Sequence, residues 1–449
     1  MGKADPDPDI RAQRLDRETV ERNFADLHPP LSRSEALIEA DRCYFCFDAP
    51  CTTACPTGID IPGFIRKIHS DNVEGSAHTI LEENIMGGMC ARVCPTEVLC
   101  EEACVRNTHE ELPVRIGLLQ RYATDPVIAA GKQLFERAPS SGKCVAVVGA
   151  GPAGLSCAHR LAVLGHDVVV FNRDGKPGGL NEYGIAAYKT VADFAQREVE
   201  YILAIGGIEL RNGVCVGEDV ALDELRKEFD ALFLSVGLGN ANALGIEGEH
   251  LPGVEDAIDY IAALRQAPDK TTLPVGRNVV VIGGGMTAID VAVQSKRLGA
   301  EHVEIVYRRG PDAMGASRYE QELARKNGVA IRHWARPRSI TGKSYVTGVV
   351  FENTGLDKDG ALAATGEWFE LPADVVFKAI GQRLDAGETG LATERGKFVV
   401  DDDMATGVDG IWAGGDCVAT GDDLTVTAVQ HGKLAALAID RHLRRRGGT

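Results

Sequence analysis

Two stretches of the chain repeat one plan, a strand, a glycine turn, a helix and a second strand: CVAVVGAGPAGLSCAHRLAVLGHDVVVFN from Cys144 and NVVVIGGGMTAIDVAVQSKRLGAEHVEIVYRR from Asn278. A short apolar run that passes through glycines into helical periodicity reads as a βαβ unit, which commits the chain to parallel sheets covered by helices. The turns begin at Gly149 and Gly283, 134 residues apart, which fits two successive dinucleotide folds and not a solenoid repeat. In the first, Gly149 permits the tight turn, Gly151 lets a phosphate approach the backbone, and Gly154 lets the helix pack against the strand. Gly283, Gly285 and Ala288 take the same places in the second, which ends in alanine as nicotinamide domains often do. In such turns the free amides and positive end of the helix face the pyrophosphate. Glycine makes up 51 of 449 residues, about 11% against the usual ~7%, as many tight turns near phosphates require.

The residue after each second strand bears on the ribose. An acid is usual there in NAD folds, but the first unit has Asn172 and the second has Tyr307, Arg308 and Arg309. An amide can still accept one hydrogen bond. The two arginines suit the 2′-phosphate of NADP(H), or the diphosphate of NAD(H), or stand as solvated charges. Around these units the expected fold is α/β: a helical segment at 1–140, a first dinucleotide domain at 141–270 completed by 378–449, and a second at 271–377 inserted in it. Ser32 and Glu35 have the spacing of a capping box that opens a short helix, and Asp60 can cap IPGFIRKIH with Pro62 in its first turn. The stretch ERAPSSGK at 136–143 reads as a linker.

Eight of the 12 cysteines crowd between Cys43 and Cys104, as Cys43-x2-Cys46-x4-Cys51-x3-Cys55-Pro, Cys90-x3-Cys94-Pro and Cys100-x3-Cys104. Cytosolic thiols crowded in this way are more often metal ligands than disulfides. Eight thiolates suffice for two [4Fe-4S] clusters, and proline after a ligand cysteine is a ferredoxin feature. The spacing of four suggests that Cys90 with Cys94, and Cys100 with Cys104, point together from one face of a helical turn. Zinc is the alternative; the lack of strands and knuckle glycines, and two reductase domains downstream that need an exit for electrons, speak against it. Cys144, Cys157, Cys215 and Cys417 lie scattered in apolar patterns, form no CxxC pair, and read as small buried hydrophobes.

Three further features suggest FAD on the first unit. Lys176-Pro177-Gly178-Gly179-Leu180 follows its second strand, Gly237 ends the strand ALFLSVG, and Gly414-Gly415-Asp416 precedes a helix beginning near Thr425. Here the chain resembles the two-dinucleotide-domain flavoproteins, whose Gly-Asp motif binds the ribityl chain. The resemblance implies that Gly178, Gly179, Leu180, Gly415 and Asp416 line the FAD, with Asp416 taking a ribityl hydroxyl; Asp416 as a helix cap is a compatible reading. The helix after Leu424 would turn its positive end to the flavin ring and stabilise the reduced, anionic form.

CYFCFDAPCTTACPTGIDIPGFI, MCARVCPTEVLCEEAC and RIGLLQRYATD resemble the N-terminal cluster domain of dihydropyrimidine dehydrogenases, especially the bacterial NAD-dependent flavin-bearing subunit, with matching motifs from about residue 40 to the C-terminus. The small subunit of glutamate synthase shares this architecture. The resemblance implies an all-α, ferredoxin-like domain with interleaved clusters: Cys43, Cys46, Cys51 and Cys104 hold one, Cys55, Cys94 and Cys100 hold three corners of the other, and Gln120 takes its last. Counting thiols alone would put Cys90 in that corner. The resemblance further implies NAD(H) as the nicotinamide and an FMN-containing partner, in a heterotetramer, where uracil or thymine is reduced.

The formal charge of −17 disfavours nucleic acid and anionic membrane as partners. No run of 18 apolar residues occurs, and MGKADPDPDIRAQRLDRE lacks the apolar core of a secretory signal, so the expected compartment is the cytoplasm. HExxH and GxSxG are absent, and the missing cysteine pair argues against a thioredoxin reductase. The expected order of electrons is NAD(P)H, FAD, cluster, cluster, exit. A glutamate synthase small subunit and a ferredoxin:NADP oxidoreductase would use the same internal route. A non-catalytic scaffold with a vestigial flavin fold is the alternative of another class.

Overall fold

The computed structural model describes residues 15–385, 387 and 389–446; the start of the chain, on which the reading of the N-terminus rests, lies outside the described residues. The chain divides into two compact units. One comprises the chain through Leu27, Tyr183–Val191 and Asn240–Gln382, the other His28–Glu182, Ala192–Gly239 and the chain from Arg383 onward.

The second of these units holds an all-parallel sheet in the order Ile411–Ala413, Ala231–Leu234, Cys144–Val148, Asp167–Asn172, Ile208–Asn212. Its central strands are continuous apolar runs, with Val145, Val147, Val170 and Phe233 fully buried, because helices cover both faces of a parallel sheet. Helix Pro152–Val163 packs against the C-terminal helix Thr425–Arg446. A Cβ at Gly432 would stand 2.1 Å from Ala153 O, so glycine sets how closely the two helices approach.

His28 to about residue 140 is helical, and among the described residues no strand precedes Cys144. The capping box forms: Ser32 N donates to Glu35 Oε2 at 2.8 Å and Glu35 N to Ser32 Oγ at 3.3 Å, opening helix Arg33–Asp41. Asp60 Oδ1 accepts from Gly63 N at 2.9 Å at the head of Ile61–His69, with Pro62 in the first turn. Each cap is worth about 1 kcal/mol. Phe64, Ile65, Ile68, Ile80, Leu119 and Ala123 close these helices into a core of their own.

The other unit has a parallel sheet of the same plan, Val254–Asp256, Val375–Ala379, Asn278–Gly283, His302–Tyr307, Ala330–His333. An antiparallel sheet, Ala335–Gly342, Val346–Leu356, Leu362–Pro372, completes it. In chain order these strands fall between Ala231–Leu234 and Ile411–Ala413, so the second dinucleotide fold is inserted in the first, as the sequence implied. Buried Lys189 pairs with Asp290 at 2.7 Å and Glu320 at 2.8 Å, tying residues 183–191 into this unit. Arg297 Nη1 donates to Asn23 O at 2.8 Å and Asn23 Nδ2 to Arg297 O at 2.9 Å, which anchors helix Arg17–Asn23. Among the described residues no helix is long and apolar enough to cross a membrane.

Candidate functional site

The first glycine turn separates positions the fold needs from one it leaves open. A Cβ at Gly149 would meet Ser235 O at 2.3 Å and one at Gly154 would meet Gly149 O at 1.9 Å, whereas at Gly151 the nearest atom is Gly179 Cα at 3.9 Å. Helix Pro152–Val163 begins there with no side-chain cap, leaving its first amides for an anion. Gly178 N donates to Ala150 O at 2.8 Å, and a Cβ at Gly179 would come within 2.8 Å of Gly151 Cα, so the 176–179 turn lies directly against the first. Leu180 opens the short helix that follows. Asn172 is buried at the strand end, where its Nδ2 donates to Asp174 O at 2.8 Å, Lys176 O at 3.0 Å and Asn212 Oδ1 at 2.9 Å. Its amide nitrogen is therefore spent on shaping this turn.

On the opposite side of the same sheet order, Gly415 N donates to His431 Nδ1 at 3.2 Å. Burial holds His431 below its usual range, which keeps the ring neutral and able to accept. Burial also pushes the Asp416 carboxyl up to about 6, with Asp423 adding to the shift and Lys397 opposing it. The helix starts at Thr425, well beyond Asp416, so Asp416 is not its cap.

In the inserted unit, a Cβ at Gly283 would stand 2.1 Å from Ala379 O and one at Gly284 would meet the Tyr307 ring at 2.5 Å, while Gly285 faces open space. Helix Met286–Leu298 starts at Gly285 without a side-chain cap, and Ala288 is fully buried. Arg308 and Arg309 follow His302–Tyr307 with exposed side chains; their carbonyls accept from Thr354 Oγ1 at 2.7 Å and Trp334 N at 3.2 Å. The backbone is fixed while the guanidinium groups face outward.

The helical segment contains two thiol-lined cavities. The first is lined by Cys43, Cys46, Cys51 and Cys104, with Ile61, Ile65 and Val114 beside them. The second is lined by Cys55, Cys90, Cys94, Cys100 and Gln120, with Asn84, Ile61 and Val426. Cys90 lies in the short helix Gly87–Val93 and Cys94 follows it, so this pair does point together. Cys100 and Cys104 do not: residues 100–104 run in turns after Thr96–Val98, and the two thiols face different cavities. A spacing of four means a shared face only where the α-helical ladder runs through it.

Gln120, in helix Ile116–Ala129, donates through Nε2 to Gly87 O at 2.6 Å, which leaves Oε1 as the atom a metal could take. Cys90 and Gln120, the two candidates for the last corner, thus reach the same cavity. Helix Gly87–Val93 has no cap of its own, and Glu198 supplies one: its Oε1 accepts from Met89 N at 3.0 Å, and burial pushes its carboxyl up to about 8. Sequence reasoning passed over Glu198, although its place on a face with Phe194 and Ile202 marks a carboxylate in an apolar stripe. Asn84 and Val426 carry no motif at all.

Burial pushes the Cys43 thiol up, Cys51 up to about 12 and Cys100 well above the ordinary range; for Cys94 a hydrogen bond with Cys90 contributes most, then burial. Such thiols ionise when a metal supplies the counter-charge. Among the described residues no three His, Cys, Asp or Glu side chains gather as a single ion requires. Each thiol set instead rims a space, which fits a multi-atom cluster better than one zinc with sulfurs at about 2.3 Å.

Comparison with known proteins agrees with this chemistry. Residues 143–432 match the pyridine nucleotide-disulphide oxidoreductase family, and residues 20–132 match dihydropyrimidine dehydrogenase domain II, 4Fe-4S cluster. The chain is 35% identical over 426 residues to the NAD-dependent dihydropyrimidine dehydrogenase subunit PreT of Escherichia coli (strain K12), covering 94% of this chain and 98% of the relative. It is 34% identical over 439 residues to the glutamate synthase [NADPH] small chain of the same organism, covering 92% of each. Mycobacterium tuberculosis FprA in complex with NADPH shares the fold, with a TM-score of 0.57 at 23% identity over 69% of this chain and 86% of the other. FAD, a nicotinamide dinucleotide and 4Fe-4S iron are therefore the cofactors of this oxidoreductase. The chain belongs to the pyridine nucleotide-disulphide oxidoreductase family, in the group that carries a dihydropyrimidine dehydrogenase-type cluster domain ahead of the reductase fold.

Proposed function

We propose that this chain is the electron-input subunit of a cytoplasmic dihydropyrimidine dehydrogenase, drawing on NADH and delivering to an FMN-containing partner, in a heterotetramer, that reduces uracil or thymine to the 5,6-dihydropyrimidine. The expected bounds of 1–140, 141–270 with 378–449, and 271–377 shift to a cluster domain at 28–140, an FAD domain at 141–239 with 383–446, and a nicotinamide domain at 240–382, because Val254–Asp256 pairs with Val375–Ala379 in the inserted sheet. When bound, a flavin accepts a hydride pair and gives up electrons singly, which is what iron–sulfur acceptors need.

The observation that carries the reading is a continuity of walls. Val426, in the first turn of the helix assigned to the flavin ring, lines the second cavity, and Ile61 lines both cavities. Two four-iron clusters held there would stand in series, the one on Cys55, Cys94, Cys100 and Gln120 first and the one on Cys43, Cys46, Cys51 and Cys104 second. Past the second, Tyr44 and Phe47 are exposed on the turn after Cys43, a surface on which a partner can dock.

On the flavin side, the free amides that begin helix Pro152–Val163 at Gly151 would hold the pyrophosphate, with the 178–180 turn beside them, and Asp416 would bind a ribityl hydroxyl. Gly283, Gly285 and Ala288 hold the nicotinamide dinucleotide. We take NAD(H) as the donor because the PreT relative is NAD-dependent by name, with Arg308 and Arg309 meeting the diphosphate. The described residues contain no eight-stranded parallel barrel, so the pyrimidine site is assigned to the partner.

The test is reconstitution. The isolated chain should oxidise NADH with an artificial dye and leave uracil untouched, and adding the FMN subunit should give NADH-dependent uracil reduction. Uracil reduction by the pure chain, or glutamate formation with a glutamine amidotransferase partner in place of pyrimidine reduction, would overturn the assignment.

A further inference from the structure

Among the described residues that line the second cavity, Asn84 carries a buried side-chain nitrogen to which the chain gives no partner. Asn84 is fully buried at the end of helix Val73–Glu83 and lines the cavity with Cys55, Cys94, Cys100 and Gln120. Its Oδ1 accepts from Met86 N at 3.1 Å, which fixes the orientation of the amide, and Nδ2 is left buried without a hydrogen-bond partner. An unpaired buried N–H₂ costs on the order of 1–3 kcal/mol, so a fold that keeps one beside a thiol-lined space implies an acceptor there when the site is filled. The amide of Gln120 contrasts with it, since its nitrogen is already spent on Gly87 O.

We infer that Asn84 Nδ2 donates a hydrogen bond to a sulfur of the cluster in the second cavity and raises that cluster's reduction potential. The inference rests on the reading of this cavity as a cluster site. Cluster sulfurs carry more negative charge after one-electron reduction, so a fixed donor stabilises the reduced state more than the oxidised one. The effect is strengthened by the burial of the amide, since a hydrogen bond is electrostatically stronger in a low-dielectric interior. The first cavity has a backbone donor, Phe45 N, 3.4 Å from Cys43 Sγ, but no buried side-chain amide on its wall. Asn84 would thus help the cluster nearest the flavin helix to take an electron.

Two variants and one label test this. Asn84→Leu keeps the bulk of the side chain and removes the donor together with the acceptor for Met86 N; Asn84→Ala removes both along with most of the side chain. Each should lower the potential of one cluster by about tenfold in its one-electron equilibrium, 59 mV, in an EPR-monitored redox titration, while the other cluster serves as an unmoved reference. In the unsubstituted holoprotein, nitrogen-15 labelling confined to asparagine should give a hyperfine coupling on the same cluster signal in pulsed EPR, which needs no variant to fold. Iron and sulfide are counted on every sample. Eight irons with unshifted potentials and no asparagine coupling would overturn the role of Asn84 while leaving the cluster reading intact; a protein without a second cluster would overturn the cluster reading itself.

Discussion

The two thiol-lined cavities each gather cysteines and are built in different ways. Three of the first cavity's four cysteines come from one stretch, Cys43 to Cys51, and its outer turn leaves Tyr44 and Phe47 exposed. The second gathers side chains from five separate places: Cys55, Asn84, the Cys90 to Cys100 stretch, Gln120 and Val426. It is also supported from a distance, by Glu198 capping the helix that delivers Cys94 and by Lys433 Nζ, which donates to Thr57 O at 2.9 Å beside the Cys55 loop. A local cradle at the surface suits an outlet, and a cradle assembled by long-range contacts and buried against the flavin domain suits an inlet.

If the two stand in series, removing a ligand from either should have the same large consequence. Cys100→Ala and Cys104→Ala should each lower electron delivery from NADH to the FMN partner by about 100-fold or more, with hydride transfer to a dye falling far less. Delivery that survives Cys104→Ala would make the first cavity a side branch and break the comparison. A smaller effect separates the two candidates for the second cavity's last corner. Gln120→Ala should shift or abolish one cluster's EPR signal and Cys90→Ala should spare both; the reverse pattern would move the ligand to Cys90.

The thiols also sharpen the contrast through pH. With no metal, burial holds Cys51 near 12, against 9.0 for a free thiol, and raises Cys100 as well, while Cys94 is raised by its hydrogen bond with Cys90 and then by burial. A thiol raised in the folded state favours the fold while it stays neutral, so that stability is fully present below pH 9 and is lost as pH climbs toward 12. The metal-free chain should therefore show a fall in melting temperature above about pH 9 from these thiols, beyond the earlier decline that the raised carboxyls of Glu198 and Asp416 give as pH climbs from about 4 to 8. The smallest expected effect concerns what feeds both cavities: kcat/KM should favour NADH over NADPH, and about a tenfold preference for NADPH, ~1.4 kcal/mol, would reassign Arg308 and Arg309 to the 2′-phosphate.

What the sequence made legible follows the same division. Features carried by neighbouring residues, such as the Ser32–Glu35 capping box, the Asp60 cap and the order of strands around the two glycine turns, could be read directly because their physics is local. The Cys100–Cys104 pairing was misread because spacing says nothing about whether a helix continues, and the chain there has left the helix. The compatible reading of Asp416 as a cap fails because the helix begins later, at Thr425. Asn84 and Glu198 act on elements they meet only after folding, so no motif announces them.

The account turns on two clusters in one chain, and metal and flavin analysis of the anaerobically purified holoprotein tests that most directly. About eight irons and eight acid-labile sulfides per FAD, with two separable EPR signals after NADH reduction, are the result it predicts. Stoichiometric zinc in a protein without brown colour, or four irons with one signal, would contradict it.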